Sequence, residues 1–320
     1  MATAYTLEFE KPLQELDRQI EELRRSSAER GTDLSAEITA LEAKLAAQRD
    51  EIYRNLTPIQ RVMVARHSRR PYTLDYLSTI FTDFIELHGD RLFRDDPAIV
   101  GGWARLGGQS VMVIGHQKGR DTKDNLRRNF GMPHPEGYRK ALRLMKLAAR
   151  FGAPVITLID TDGAYPGLGA EERGQSEALA RNILEMSVLP TPIVAIVIGV
   201  GGSGGALAHG VADRVLMLEN SIYSVISPEG CAAILWKDAS QRERAAEALK
   251  LTAADLLRLK VIDEIIPEPP GGAHTDHDAT GEAVRDALLR HVNDLRKVKP
   301  DKLVRRRAEK YGAMGAYTEA

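Results

Sequence analysis

Apolar positions along this chain change texture three times. Between residues 7 and 55 they are sparse, set among charges, and spaced by three and four: Leu13, Leu16, Ile20 and Leu23, then Ile38, Leu41, Leu45 and Ile52. Gly31-Thr32-Asp33 breaks the pattern between the two runs. A narrow apolar stripe at helical spacing, interrupted once, predicts a helical hairpin. The stripe either closes on itself or docks on a partner, because two helices alone have little core. Thr57-Pro58 then reads as a helix start, with Thr as cap and Pro in the first turn. Arg70-Pro71 interrupts that helix. Thr73 opens another, with Leu74, Leu77, Ile80, Phe81, Phe84 and Ile85 on one face and Gly89 at its end.

From Ala98 the texture becomes short apolar runs separated by longer amphipathic ones. Ala98 to Leu106 and Ser110 to His116 predict strands across Gly107-Gly108, a hairpin signal. Pro135-Glu136 opens a helix to Phe151, closed by Gly152. Pro154 to Asp160 predicts a buried strand, Glu171 to Val188 a helix, and Ile193 to Ile198 a strand buried on both faces. Strands over 215–218 and 223–226 follow, then helices over 228–236, 241–250 and 253–259. Val261 to Ile266 is a last short strand. Pro267 to Thr280 is a loop, a basic helix covers roughly 282–297, and the tail frays. Strands alternating with helices predict an α/β sheet with helices packed outside it.

The stretch after Ile198 organises the rest. Gly199 to Gly205 holds five glycines in seven positions, and Ala206-Leu207-Ala208 begins a helix. The expected order is strand, glycine turn, helix over 204–210. Glycine allows a close approach of ligand to main chain. The first amides of a helix lack intrahelical partners and sit at its positive end, so two of them can hold a developing oxyanion. A tight turn needing glycine only for packing is the other reading. The G-K-[ST] ending of a phosphate loop is absent. A second glycine-rich segment, Ile159-Asp160-Thr161-Asp162-Gly163-Ala164-Tyr165-Pro166-Gly167, also follows a buried strand and precedes a helix. Two such turns at one end of a sheet form a crevice of the kind that takes ligands.

Composition narrows the classes. The chain has 320 residues, of which 43% are hydrophobic, enough for a sizeable core, and a formal net charge of −1. That balance provides no global attraction to nucleic acid or membrane. A single cysteine, Cys231, rules out an internal disulfide and any multi-cysteine zinc site, and fits a reducing, cytoplasmic setting. Met1 to Glu8 shows no secretory pattern, and no apolar run reaches the roughly 18 residues of a membrane span.

Charge is uneven locally. Between His116 and Lys146 stand nine cations, Lys118, Arg120, Lys123, Arg127, Arg128, Arg139, Lys140, Arg143 and Lys146, against Asp121, Asp124 and Glu136. The 118–128 part reads as a loop for an anionic ligand or a subunit contact, and 139–146 as a solvated helix face. No H-E-x-x-H, G-x-S-x-G or paired-cysteine pattern is present. Cys231 and His209 read as structural, and Ser227 as a helix cap. The chemistry therefore falls to backbone amides.

At this point the residues resemble a family. G-H-Q-K-G-R at 115–120, R-R-N-F-G-M-P-H-P-E-G-Y-R-K-A-L-R at 127–143, G-A-Y-P-G at 163–167, A-E-E-R-G-Q-S-E-A at 170–178, G-G-S-G-G-A-L-A at 201–208 and I-S-P-E-G-C-A-A-I-L-W-K at 226–237 are similar to the alpha subunits of the carboxyltransferase component of bacterial acetyl-CoA carboxylase. The resemblance covers nearly the whole chain. It implies an α/β, crotonase-like spiral of β-β-α units over residues 91–320 behind an N-terminal helical region over 1–90. It implies a cytoplasmic α2β2 assembly with a beta subunit that carries the zinc, working with a biotin carboxyl carrier protein and biotin carboxylase. The implied reaction moves a carboxyl group from carboxybiotin on the carrier to acetyl-CoA, giving malonyl-CoA for fatty acid synthesis. Gly204 and Gly205 match the oxyanion-hole glycines of the biotin side. Gly201, Gly202, Gly163, Ala164, Lys118 and Arg120 are the expected biotin-side contacts.

Two residues depart from the family pattern: Val200 stands where Glu is usual, and Asp162 where Pro is usual. Both bear on rate and local geometry at the crevice. Two alternatives follow. One is another crotonase-like acyl-CoA enzyme, which needs a general acid or base such as Glu171 or Glu172. The other is a non-catalytic assembly subunit.

Overall fold

The computed structural model describes residues 7–315. Residues 1–6, part of the stretch read for a leader, lie outside them, as do 316–320. The helices are α1 (Lys11–Arg30), α2 (Ser35–Arg54), α3 (Pro58–Ala65), α4 (Thr73–Ile80), α5 (Thr122–Arg127), α6 (Pro135–Arg150), α7 (Leu168–Glu172), α8 (Gln175–Val188), α9 (Ser203–Leu207), α10 (Pro228–Trp236), α11 (Arg242–Leu249), α12 (Ala253–Arg258), α13 (His277–Leu295) and α14 (Pro300–Gly312). The strands are β1 (Thr82–Glu86), β2 (Ile99–Leu106), β3 (Gln109–His116), β4 (Val155–Thr161), β5 (Ile193–Gly202), β6 (Arg214–Leu218), β7 (Ile222–Ser224) and β8 (Glu264–Ile266).

All eight strands join one sheet, ordered β1-β2-β3-β4-β5-β6-β8, with β7 paired to the far end of β5. The β1-β2 and β2-β3 pairs are antiparallel and the others parallel. Gly107 and Gly108 make the β2-β3 turn at positive φ, 55° and 80°, where glycine has no Cβ to clash. Side chains alternate across the strands. Val113, Ile156, Val194 and Ile196 face one core with α4 and α13. Met112, Ile114, Val155, Ile193 and Val197 face the other, under α6 and α8. Such two-sided burial is what the unbroken apolar runs predict.

The N-terminal hairpin forms as expected and closes on itself. Leu13, Leu16, Ile20 and Leu45 share one small core, with Ile38, Leu41 and Ile52 packed on it. Thr57 caps α3 through the Gln60 amide, with Pro58 in the first turn.

Six expectations are corrected. The 118–128 stretch is not a loop throughout: Asp121 caps α5, which takes up Thr122–Arg127. The helix from Thr73 stops at Ile80; Phe84 and Ile85 lie on β1, which pairs with β2 through a bulge, and Asp83 takes φ 52°. The helix over 171–188 is two, broken where Gly174 takes φ 81°. The strand from Ile193 runs on to Gly202, because β7 extends the ladder beside Val200, Gly201 and Gly202. The tail does not fray within the described residues: α14 buries Leu303 and Arg307. Finally, residues 139–146 are not a solvated face. Lys140 is buried, its Nζ 2.6 Å from Asp95 Oδ1, and Arg139 Nε lies 2.8 Å from Asp90 Oδ2. Both partners lie in the loop after β1.

Candidate active site

The carboxyl ends of β3, β4 and β5 converge on a cleft of about 730 Å³. Its wall includes Lys118 after β3, Asp160 on β4, Asp162 beyond it, and Val200 to Ser203 at the β5-α9 junction. Tyr72, His67 and Phe130 close one side, and Ser224 to Ser227 the other. A crevice beyond strand carboxyl ends is where open α/β sheets receive ligands.

The two glycine turns meet backbone to backbone. A Cβ at Gly202 would lie 2.3 Å from the Asp162 carbonyl oxygen, and one at Gly205 would lie 2.6 Å from the Gly163 carbonyl carbon and 2.7 Å from the Ala164 nitrogen. No side chain fits either gap. Gly204 differs: its nearest neighbour would be Leu179 Cδ1 at 3.5 Å, ordinary contact. Ser203 takes φ 53°, which turns the chain from strand to helix. By position, the amides of residues 203–205 have no acceptor inside α9. Gly201 and Gly202 line the cleft; Gly204, Gly205, Gly163 and Ala164 do not line it, but follow directly in the chain after lining residues Ser203 and Asp162.

Lys118 belongs to the wall. Its ammonium lies 2.8 Å from Asp160 Oδ1, and its side chain is 14% exposed. Burial would lower its pKa, but Asp160 and Asp162 outweigh that and hold it above the usual lysine value. Arg120 does not join it. Its guanidinium donates to the carbonyls of Ser68 (2.7 Å) and Arg70 (3.0 Å), pairs with Asp75, and lies over the Tyr72 ring. It braces the segment between α3 and α4, which presents His67 and Tyr72 to the cleft.

Val200 is not in a turn. It sits in β5 opposite Ile222, is 5% exposed, and packs with Ile59, Val62 and Leu251. Asp162 is exposed on the cleft rim. Glu171 and Glu172 are exposed on α7 and do not line the cleft. His209 is buried beneath α9, its ring 4.7 Å from that of His116 and its Nδ1 3.4 Å from the Gly205 carbonyl oxygen. Burial pushes its pKa down to about 4, so it is neutral at pH 7. Cys231 is buried beside Ala232 and Ala245, and Ser227 caps α10 by accepting from the Gly230 amide.

Sequence reasoning named none of Asp160, His67, Tyr72 and Phe130 as a site residue. Asp160 had a signal: it is the one charged residue of β4, near its carboxyl end, in the second glycine-rich segment singled out above. His67 had none; it stacks on His274 at 3.9 Å between ring centres, more than two hundred residues away.

Residues 6–315 match the family described as acetyl co-enzyme A carboxylase carboxyltransferase-like. The chain belongs to that family. A relative from Gemmatimonas aurantiaca, named acetyl-coenzyme A carboxylase carboxyl transferase subunit alpha, is 66% identical over 322 residues and covers all of both chains. Among solved structures, transcarboxylase 12S matches with TM-score 0.56 at 19% identity, over 70% of this chain and 42% of that one. A Pseudomonas malonate decarboxylase hetero-tetramer in complex with coenzyme A matches with TM-score 0.55 at 19% identity, over 68% of this chain and 88% of that one. These likenesses show the fold, and the crotonase-like expectation holds. The expected activity class, a carboxyltransferase subunit of acetyl-CoA carboxylase, is that of the family. Among the described residues no helix is long and apolar enough to cross a membrane, and no cluster of three or more His, Cys, Asp or Glu is placed to hold a metal ion.

Proposed function

We propose that this chain supplies the biotin side of carboxyl transfer from carboxybiotin, on a carrier protein, to acetyl-CoA. The observation that carries the reading is the glycine contact between the turns after β4 and β5, which holds the first-turn amides of α9, without acceptors inside the helix, next in the chain to the cleft residues Gly201 to Ser203, on a wall that also carries Lys118. The amides of Gly204 and Gly205 hold the ureido oxygen of biotin; Gly201, Gly202, Gly163 and Ala164 shape the approach. Lys118 attracts the carboxylate.

In the reaction the N–C bond of carboxybiotin breaks, CO2 is released, and the bond's electron pair moves into the ureido group. Negative charge builds on the ureido oxygen, which takes the proton from the methyl group of acetyl-CoA. The resulting carbanion bonds to the carbon of the CO2, giving malonyl-CoA and neutral biotin. Donors fixed beforehand in a site shielded from water stabilise that charge more than solvent would. The acetyl-CoA enolate needs a second pair of donors, assigned here to a beta subunit, which would also hold the zinc. The biotin carboxyl carrier protein and biotin carboxylase are the further partners, and the setting is cytoplasmic. A self-sufficient acyl-CoA hydratase or hydrolase would need a free carboxylate at the amides. Asp160 is engaged with Lys118, Glu171 and Glu172 stand outside the cleft, and Asp162 on its rim is the carboxylate that reading would have to use.

The test is malonyl-CoA formation from carboxybiotin and acetyl-CoA, by this chain purified alone and by its complex with a beta subunit. Activity only in the complex is expected. Full activity of the single chain would overturn the division of labour, and an assembled complex without transfer would leave an assembly role.

A further inference from the structure

The Lys118–Asp160 pair ties together the ends of three neighbouring strands. Lys118 follows β3, Asp160 is the penultimate residue of β4, and Asp160 Oδ1 also accepts the Val200 amide of β5 at 2.9 Å. The carboxylate is 4% exposed. Two glycines make room for this arrangement. A Cβ at Gly199 would lie 2.7 Å from Asp160 Oδ1, and a Cβ at Gly131, which takes φ 74°, would lie 2.7 Å from Lys118 Cγ. The first clears space for the carboxylate and the second for the lysine stem. A lysine left to itself on a partly buried wall would fold outward to water or lose its proton. This one is fixed at both ends and still reaches the cleft.

We propose that Asp160 is a positioning residue: it holds Lys118 as an aimed ammonium on the cleft wall, so that the site selects carboxylated biotin, an anion, over uncarboxylated biotin, which is neutral. The inference rests on the reading that this cleft takes the biotin side. Selection by charge suits a transfer reaction, because the anionic substrate is drawn in and the neutral product is released. The charged and titratable groups around Lys118 are Asp160 and Asp162 from the β4 end, Tyr72 from the segment before α4, and the buried, neutral His116 at the end of the preceding strand β3. Arg70 lies beyond Asp160 and shares its field. Of these, Asp160 alone hydrogen-bonds the ammonium.

The test uses the complex with the beta subunit and the variants D160N, K118M and D160N/K118M. Asn keeps the shape of Asp and can still accept the Val200 amide, but it removes the charge. In D160N the Lys118 amine should titrate lower, so its labelling by a trace amine-reactive acyl reagent at pH 8, followed by mass spectrometry, should rise about tenfold per unit of pKa lost. The basic limb of the kcat/KM profile for carboxybiotin should move to lower pH by at least a comparable amount, with activity recovering on acidification. Uncarboxylated biotin should inhibit D160N nearly as well as the parent. In the K118M background, D160N should cost little further activity. If D160N assembles with unchanged Lys118 labelling and an unchanged pH profile, the inference is overturned. If D160N does not assemble, the double variant, which removes both charges, decides the matter: activity well below that of K118M overturns it. Full transfer by K118M would instead sink the biotin-side reading of Lys118.

Discussion

Arg70 and Glu268 form a fully buried ion pair, with Nη2 2.7 Å from Oε1 and Nη1 2.9 Å from Oε2. The same guanidinium donates to the Ile198 carbonyl of β5, two residues before the cleft wall begins. The pair therefore pins the loop after β8 and the segment before α4 to the strand that carries the glycines. Burial alone would raise the Glu268 pKa; Arg70 and the donors of Asn220 outweigh it and hold it at about 2, against an ordinary value of 4.5. A depressed carboxylate pKa gives stability that is complete above pH 4.5 and is lost as pH falls towards 2. Glu268→Gln should flatten the stability-versus-pH curve in that window, read by urea unfolding at stepped pH. At pH 7 it should cost about 3–5 kcal/mol, because Arg70 keeps a buried charge without its partner.

Gly205 and Gly204 should respond oppositely to one methyl group. At 205 the methyl meets backbone at 2.6 Å; at 204 it meets only a leucine tip at 3.5 Å. Gly205→Ala should spread the two turns, cost about 1–3 kcal/mol of stability, and lower transfer by about 10²-fold if the amides are the donors. Gly204→Ala should unfold near the parent temperature, and any loss should appear in KM for carboxybiotin. Thermal scans beside steady-state kinetics check both. Equal behaviour of the two variants would mean that the backbone contact does not set the site.

Glutamate at position 200 would not be a surface change. Val200 lies in β5 under Ile222 and Leu251. Val200→Glu loses that packing and brings a carboxylate against it, at an expected cost of about 2–4 kcal/mol at pH 7. Burial raises the new carboxyl's pKa, so the penalty is present at neutral pH and should shrink as pH falls to about 5. An unchanged melting temperature at pH 7 would show that the side chain reaches the open cleft.

How far the chain could be read beforehand depended on the reach of each interaction. Gly107-Gly108, Thr57-Pro58 and the β4 and β5 runs are decided by neighbours a few residues away, and they were legible. Phe84 and Ile85 kept a helical spacing, yet they form a strand because β2, some fifteen residues on, offers an edge. Arg139 and Lys140 looked solvated because their carboxylates, Asp90 and Asp95, stand over forty residues upstream. At the site, the glycines announced themselves through their rarity of pattern. His67 and Tyr72 enter the cleft only through tertiary packing, and Arg120, which looked like part of it, is consumed in bracing the α3-α4 segment.

Arg307 on α14 uses all five of its donors: two on Asp213, at 3.1 and 2.8 Å, and the others on the carbonyls of Met186, Leu189 and Thr191. Those carbonyls close α8 and lead into β5. Arg307→Met should cost about 3–5 kcal/mol in denaturant unfolding, since Asp213 is left buried and charged without its counterion. Removing Asp213 as well should recover part of that loss. A cost under about 1 kcal/mol for the single change would place α14 outside the cooperative unit.

The unequal room at Gly204 and Gly205 changes what their natural variation can teach. At 205, and equally at 202, the backbone contact in this chain demands glycine whatever the site catalyses, so a glycine kept there by a relative would be silent about chemistry. At 204 there is room for a methyl group. A lineage that nevertheless keeps glycine at 204 does so at the request of something outside the polypeptide, and one that drifts to alanine there has told us that its guest needs less space.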